Sequence, residues 1–269
     1  MTISVLTSSR ADYGIYLPLL RLLFADSFFK LRILAFGAHL SEKFGLTVQA
    51  IEKEFPKNTF RITSSISGDK PVEIVKDYAL TVKSFGEYWK ENKTDLILCL
   101  GDRFEMSAAV QSTIPFNMTL AHIHGGEVSE GAIDNIYRDQ ICRASKFHFC
   151  STENSALRIK EILGQESCII ETVGSLSLEN LNNFKADDFE SWKQKFDISD
   201  LRQNFILMTV HPETRNLELN LDHVRTLSKF LNRKAADYQF VITMPNADTM
   251  GNLFREKFIE LGNKHPQNI

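Results

Sequence analysis

Several stretches of this chain place acid, base or cationic side chains directly behind an apolar run. They include Thr7-Ser8-Ser9-Arg10-Ala11-Asp12, Gly37-Ala38-His39-Leu40-Ser41 and Gly101-Asp102-Arg103-Phe104-Glu105. The richest is Ala121-His122-Ile123-His124-Gly125-Gly126-Glu127. There His122 and His124 lie two apart and share a face if the strand persists. The two glycines permit close backbone approach to a ligand. Asp134 and Arg138 follow four apart, on one helix face; the same pair also reads as a plain surface salt bridge. His, Glu, Asp and Arg in one strand–loop–helix unit make a set suited to general acid–base work.

The other stretches admit two readings each. Arg10 stands where a strand meets a helix N-terminus, a place suited to a phosphate, or it is a solvated arginine on a capping turn. His39 either reaches a ligand or is a loop histidine. Gly101 allows a tight turn, and Asp102 then caps the next helix, serves a site, or does both. In the second half, Val210-His211-Pro212 and Pro245-Asn246-Ala247-Asp248 again put polar residues after apolar runs. Together they could face the first half across a cleft. A His-x-His with a nearby Glu could hold zinc or manganese. No H-E-x-x-H and no cysteine cluster accompany it, so no metal is expected. The glycine fingerprints of dinucleotide and P-loop sites are absent as well.

These residues need elements to position them. Short apolar runs recur at Ile3–Leu6, Leu31–Phe36, Phe60–Thr63, Leu96–Leu100, Met118–Ile123, Phe147–Cys150, Ile169–Val173, Phe205–Val210 and Phe240–Met244. Helical patterns lie between them at Tyr13–Phe24, Val72–Trp89, Arg103–Ser112, Ile133–Arg143, Ser155–Leu163 and Leu219–Asn232. Such alternation predicts an α/β fold with a parallel sheet and helices on both faces. Apolar runs give way to a polar stretch over 179–200, so two Rossmann-like domains are expected, residues 1–175 and 176–269. The second, roughly 95 residues with two clear strands, is short for such a domain and is expected to be incomplete.

Composition narrows the class. The 269 residues carry 31 Lys and Arg against 34 Asp and Glu, a net charge of -3. That argues against nucleic acid as a partner. Hydrophobic residues make up 43%, enough for a core. The four cysteines form no C-x-x-C pair, which fits a reduced, cytoplasmic protein. Residues 1–6 lack a basic n-region, and no apolar stretch approaches bilayer-spanning length, so neither signal peptide nor membrane is expected.

Taken in order and spacing, the motifs resemble those of the hydrolysing UDP-N-acetylglucosamine 2-epimerases. They are Ser9-Arg10-Ala11-Asp12-Tyr13-Gly14, Gly37-x-His39-Leu40-Ser41, Gly101-Asp102-Arg103-x-Glu105, His122-Ile123-His124-Gly125-Gly126-Glu127, Asp134-x-x-x-Arg138, Val173-Gly174-Ser175, Val210-His211-Pro212 and Pro245-Asn246-Ala247-Asp248. The resemblance implies a glycosyltransferase-B-like fold with a UDP-sugar between two domains, and neither metal nor nicotinamide. It implies elimination of UDP across C1–C2 to a 2-acetamidoglucal and then addition of water, releasing a sugar such as N-acetylmannosamine for sialic-type sugar synthesis.

On that match Asp102, Glu127 and Asp134 are the acid–base carboxylates, and Arg138 supports them. His211 sits by the leaving diphosphate. Arg10, His39, Arg103, Ser175, Asn246 and Asp248 fall among the substrate contacts, and a homodimer is expected. Two departures stand out. Some members have a carboxylate where this chain has His124, so His124 or Glu127 is the proton-transfer partner. The family's Ser-rich segment after the last motif has no counterpart here, so weak or no turnover is expected. The alternatives are the same chemistry on UDP-2,4-diacetamido-2,4,6-trideoxyglucose, a non-hydrolysing epimerase, a non-catalytic sugar-nucleotide-binding module, and a glycosyltransferase.

Overall fold

The computed structural model describes residues 1–165, 167–182, 188–195, 198–245 and 248–269, without the side chain of Asn182. It has two compact units. The first comprises Met1–Ser67 and Val72–Asn183, the second Gly68–Pro71 and Phe184–Ile269.

The first unit is a parallel sheet of seven strands: β1 (Thr2–Thr7), β2 (Lys30–Ala35), β3 (Thr59–Arg61), β4 (Leu96–Leu100), β5 (Leu120–Ile123), β6 (Phe147–Cys150) and β7 (Ile169–Thr172). Their spatial order is β3-β2-β1-β4-β5-β6-β7. Helices α1 (Arg10–Ala25), α2 (Val48–Glu54), α3 (Pro71–Glu91), α4 (Phe104–Gln111), α5 (Asp134–Ala144), α6 (Glu153–Leu163) and the short α7 (Glu179–Asn182) complete the connections.

Alternation along the strands builds two cores. On one face Ile3, Val5, Ile33, Leu98 and Ile123 pack with Tyr16 and Leu20 of α1 and Ile51 of α2. On the other, Leu6, Leu34, Ile97 and Cys99 pack with Phe85 and Trp89 of α3, Met106 and Val110 of α4, and Ile141 of α5. Both faces are covered, as a parallel sheet requires. A sequence of short apolar runs separated by amphipathic helices has this as its natural solution.

Sheet order fixes where a ligand can sit. The chain passes from β1 to β2 on one side of β1, then returns to β4 on the other. That reversal opens a crevice beyond the carboxyl ends of β1 and β4.

The second unit contains α8 (Phe189–Lys195), β8 (Phe205–Thr209), α9 (Leu217–Lys234), β9 (Gln239–Thr243) and α10 (Gly251–Lys264). β8 and β9 pair in parallel, Phe205 opposite Gln239 through Thr209 opposite Thr243. Val224 and Leu231 of α9, Phe240, and Phe254, Phe258 and Leu261 of α10 form its core. No helix among the described residues is long and apolar enough to cross a membrane.

Candidate active site

Three loops of the first unit meet the crevice: β1–α1, β4–α4 and β5–α5. The first is drawn tight by Asp12, which is buried one turn into α1. Its carboxylate accepts from the Thr7 hydroxyl, from the Ser8 amide at 2.9 Å and hydroxyl at 2.8 Å, and from the Ser9 amide at 3.2 Å. A carboxylate at a helix start also opposes the positive end of the helix dipole. Arg10, the first residue of α1, stays exposed beside this knot.

His39 lies inside. It has no exposed surface. Its Nε2 is 2.9 Å from the Thr7 hydroxyl and its Nδ1 is 2.7 Å from the Thr47 hydroxyl. Thr7 donates to Asp12, so Nε2–H donates to Thr7 and Nδ1 accepts from Thr47. Both nitrogens of His39 are thus engaged within the fold, where the ring braces the loop. Sequence alone gives a histidine's place after a strand, not the direction of its ring.

Backbone bonds carry the ladder to the ends of the next strands, from Gly101 N to Ile123 O at 3.2 Å and from His124 N to Phe149 O at 3.0 Å. Asp102 follows Gly101, whose φ is +84°. The guanidinium of Arg138, on α5, donates to the Asp102 carboxylate, to Glu127 O at 2.5 Å and to Asn135 Oδ1 at 3.0 Å. Arg138 is buried, so removing an acceptor would leave a stranded charge. One guanidinium therefore ties the β4 loop to the β5 loop. Arg103, mostly buried, forks onto the fully buried Glu105 at 3.2 and 3.3 Å.

The β5 loop carries the chemistry-bearing group. His124 follows the strand at φ +62°, a conformation that costs a non-glycine residue energy. Its Nδ1 lies 3.4 Å from Glu127 Oε1, and its Nε2 accepts from the Leu176 amide at 3.3 Å. Accepting at Nε2 leaves the proton on Nδ1, aimed at Glu127. The same Glu127 oxygen accepts from the Ser151 hydroxyl at 2.5 Å. Burial lowers the His124 pKa, opposed by the charge of Glu127 and aided by Arg138. The imidazole is thus held neutral.

Asp134 begins α5. Tyr137, one turn on, has its hydroxyl pKa raised by burial first, then by Tyr78, Asp134 and Glu105. Asp134 and Glu105 therefore both project their charge toward Tyr137, which stacks with Tyr78 at 6.3 Å. Ser175, after β7, is 2.7 Å from the Ser177 hydroxyl. Asn135 braces the loop by accepting from the Ser129 amide at 2.9 Å and donating to Ser129 O at 2.7 Å.

Gly125 and Gly126 allow close packing within the fold. A Cβ on Gly126 would sit 2.1 Å from Ser155 O, and one on Gly125 would sit 2.8 Å from His122 Nδ1. Both glycines thus lie tight against α6 and the strand below.

In the second unit His211 follows β8, half-exposed, with Nδ1 3.9 Å from Asp248 Oδ2. Asn246 lies outside the described residues. Sequence reasoning missed Ser151, Asn135 and Tyr137. Ser151 stands directly behind β6, where a lone hydroxyl carries no signal of its own. Among the described residues one group of His and Cys donors is close-set enough for a metal ion; it lies within the sheet, below this site.

The arrangement can therefore hold and move protons: a neutral imidazole and a carboxylate lie together beside a second carboxylate fixed by arginine. Comparison with known proteins identifies the family and the fold. The family described as UDP-N-acetylglucosamine 2-epimerase matches residues 22–267. The chain is 32% identical over 258 residues to the GDP/UDP-N,N'-diacetylbacillosamine 2-epimerase (hydrolyzing) of Campylobacter jejuni, covering 94% of this chain and 65% of that protein. It is 29% identical over 250 residues to the UDP-N,N'-diacetylbacillosamine 2-epimerase (hydrolyzing) of Legionella pneumophila, covering 93% and 65%. The chain thus spans a little under two-thirds of the length of these relatives. Its fold is that of the Methanocaldococcus jannaschii UDP-GlcNAc 2-epimerase solved in complex with UDP-GlcNAc and UDP, with a TM-score of 0.73 at 17% identity over 97% of this chain and 69% of that one.

Proposed function

The chain belongs to the UDP-N-acetylglucosamine 2-epimerase family, and from that premise we propose that it carries the proton-transfer machinery of a hydrolysing 2-epimerase for a UDP-linked 2-acetamido sugar. The observation that carries this reading is the Ser151–Glu127–His124 group beside the Arg138-bound Asp102. It provides a positioned carboxylate for a carbon acid and a second one level with it on the neighbouring strand.

The reaction divides into two balanced steps. Glu127 takes the C2 proton, the C2–H bonding pair closes the C1=C2 double bond, and the C1–O bond to the diphosphate breaks with UDP taking the C1–O bonding pair. Water then adds its hydroxyl to C1 and gives up its proton to a basic side chain or to solvent, while an acid delivers a proton to C2 on the opposite face. Asp102 and Asp134 are the candidates for that acid. Arg10 meets the diphosphate, where a guanidinium at a helix start offers charge and direction. His211 and Asp248 are assigned to the leaving group. His124 supports Glu127 through Nδ1–H and is the alternative proton carrier.

A second substrate reading has its own support. Both relatives above carry diacetylbacillosamine in their names, so UDP-2,4-diacetamido-2,4,6-trideoxyglucose stands beside UDP-N-acetylglucosamine as the sugar. The homodimer belongs to the same proposal, and light scattering on the purified protein tests it.

The deciding experiment is a long incubation with each UDP-sugar in deuterated water, followed by proton NMR. Deuterium at C2 of a released free sugar is the expected result, and the better substrate identifies the sugar. An epimerised product still attached to UDP would point to the non-hydrolysing reaction. Absence of both exchange and release with either sugar would sink the proposal.

A further inference from the structure

Below Gly101 and His124 lies a polar group that the proposed reaction does not use. His122 of β5 and His148 of β6 are register partners in the parallel sheet. They stand side by side on one face, and Cys142 of α5 packs over them. All three are fully buried. One donor atom from each lies within 4.8 Å of the other two.

The hydrogen bonds fix both rings. His122 Nε2–H donates to Gly101 O at 2.8 Å, which leaves Nδ1 bare, 3.4 Å from Cys142 Sγ. His148 Nε2–H donates to Ser145 O at 3.1 Å, which leaves its Nδ1 bare too. That second nitrogen is buried and has no partner among the described residues. A thiol–imidazole hydrogen bond accounts for His122 and Cys142 but leaves His148 stranded. Buried polar atoms are almost always satisfied, and an orphan points to a missing water or ion. A carbonyl on the outer N–H and a bare inner nitrogen is the arrangement of metal-binding histidines.

We propose that His122, Cys142 and His148 form a buried site for one monovalent copper ion, held by two imidazole nitrogens and one thiolate sulfur. Charge selects the metal. Two neutral imidazoles and a thiolate total one negative charge, which Cu(I) cancels. Zinc would leave a buried positive charge and would seek a fourth ligand. The nearest ionised groups are already paired: Arg138 with Asp102, and Arg158 with Asp139 at 2.8 Å. Soft thiolate with imidazole suits Cu(I).

Burial pushes the Cys142 thiol up to about 12 and the His122 imidazole down to about 3. The rings are thus neutral and ready, and the thiol keeps its proton until a cation takes its place. On binding, the S–H bond breaks, its proton passes to solvent and the S–Cu bond forms. Copper stays Cu(I), so nothing is oxidised or reduced.

The test uses protein produced in copper-supplemented cells and purified anaerobically under reducing conditions. Metal analysis is expected to find one copper per chain. X-ray absorption is expected to show a Cu(I) edge with two nitrogens and one sulfur. Cys142→Ser and His148→Gln should each lose the metal, while Cys168→Ser, outside the triad, should keep it. The absorption measurement needs no variant, so it stands even if a substitution unfolds the protein. Absence of copper, copper retained in both triad variants, or four-coordinate zinc in its place would each overturn the assignment. Epimerase turnover is a separate readout: an active protein without copper removes this site alone.

Discussion

Two regions of the first unit use the same three kinds of group. At the β1 loop, Thr7, Asp12 and His39 join hydroxyl, carboxylate and imidazole. At the β5 loop, Ser151, Glu127 and His124 do so again. What separates them is water. The Asp12 side chain is 8% exposed and that of His39 is fully enclosed, whereas those of Glu127 and His124 are 35% and 11% exposed. In the first region the Thr7 and Ser8 hydroxyls and the Ser8 and Ser9 amides that meet the carboxylate are spent on the fold. In the second, the carboxylate faces solvent on one side, and a substrate can meet it. Residue types propose chemistry, and accessibility decides whether they perform it or hold the scaffold.

Substitutions can break this contrast or sharpen it. The largest expected effect is on catalysis. Glu127→Gln keeps the Ser151 contact and removes the base, so C2 exchange should fall by about a thousandfold, with the melting curve almost unmoved. A matching drop in stability would show that the β5 group is scaffold as well. Next comes Asp12→Ala, which strands buried donors at Thr7, Ser8 and Ser9. It should cost about 3–4 kcal/mol in urea unfolding; a loss below about 1 kcal/mol would mean the knot is ornamental. Ser151→Ala should slow exchange by about tenfold, chiefly in kcat, and Ser151→Thr should restore most of it. The smallest effect is Thr47→Val, which takes one partner from His39. About 1 kcal/mol of stability should go, with the relative exchange rate unchanged; an altered KM would put His39 back in contact with substrate.

Much of this architecture is legible in the sequence, because short apolar runs fall where all nine described strands lie. The runs at 60–63 and 118–123 overshoot β3 and β5 by two residues at one end, Ile62-Thr63 after β3 and Met118-Thr119 before β5, where one apolar side chain adjoins the ladder. Helix α2 escapes such a reading: its seven residues, Val48–Glu54, bury Val48 and Ile51 but are too short for a clear period. Polar residues behind strands lead to Asp102, Glu127 and Arg138, which one guanidinium links. The same guide fails where the answer lies far along the chain. His39 turns inward toward Thr7, 32 residues back, and Gly126 is required by the Ser155 carbonyl, 29 residues on. Ser151 escapes for a smaller reason: one hydroxyl behind a strand carries no signal until its partner's position is known.

The guanidinium of Arg138 bears on how this protein should be dissected. It grips a side chain behind one strand and a main-chain oxygen behind the next. Deleting Asp102 would free that grip and let the Glu127 segment drift, so the apparent importance of Asp102 would include damage done to its neighbour. Single deletions would then add up to more than the double, and only a paired-substitution cycle between Asp102 and Glu127 would separate chemistry from tethering.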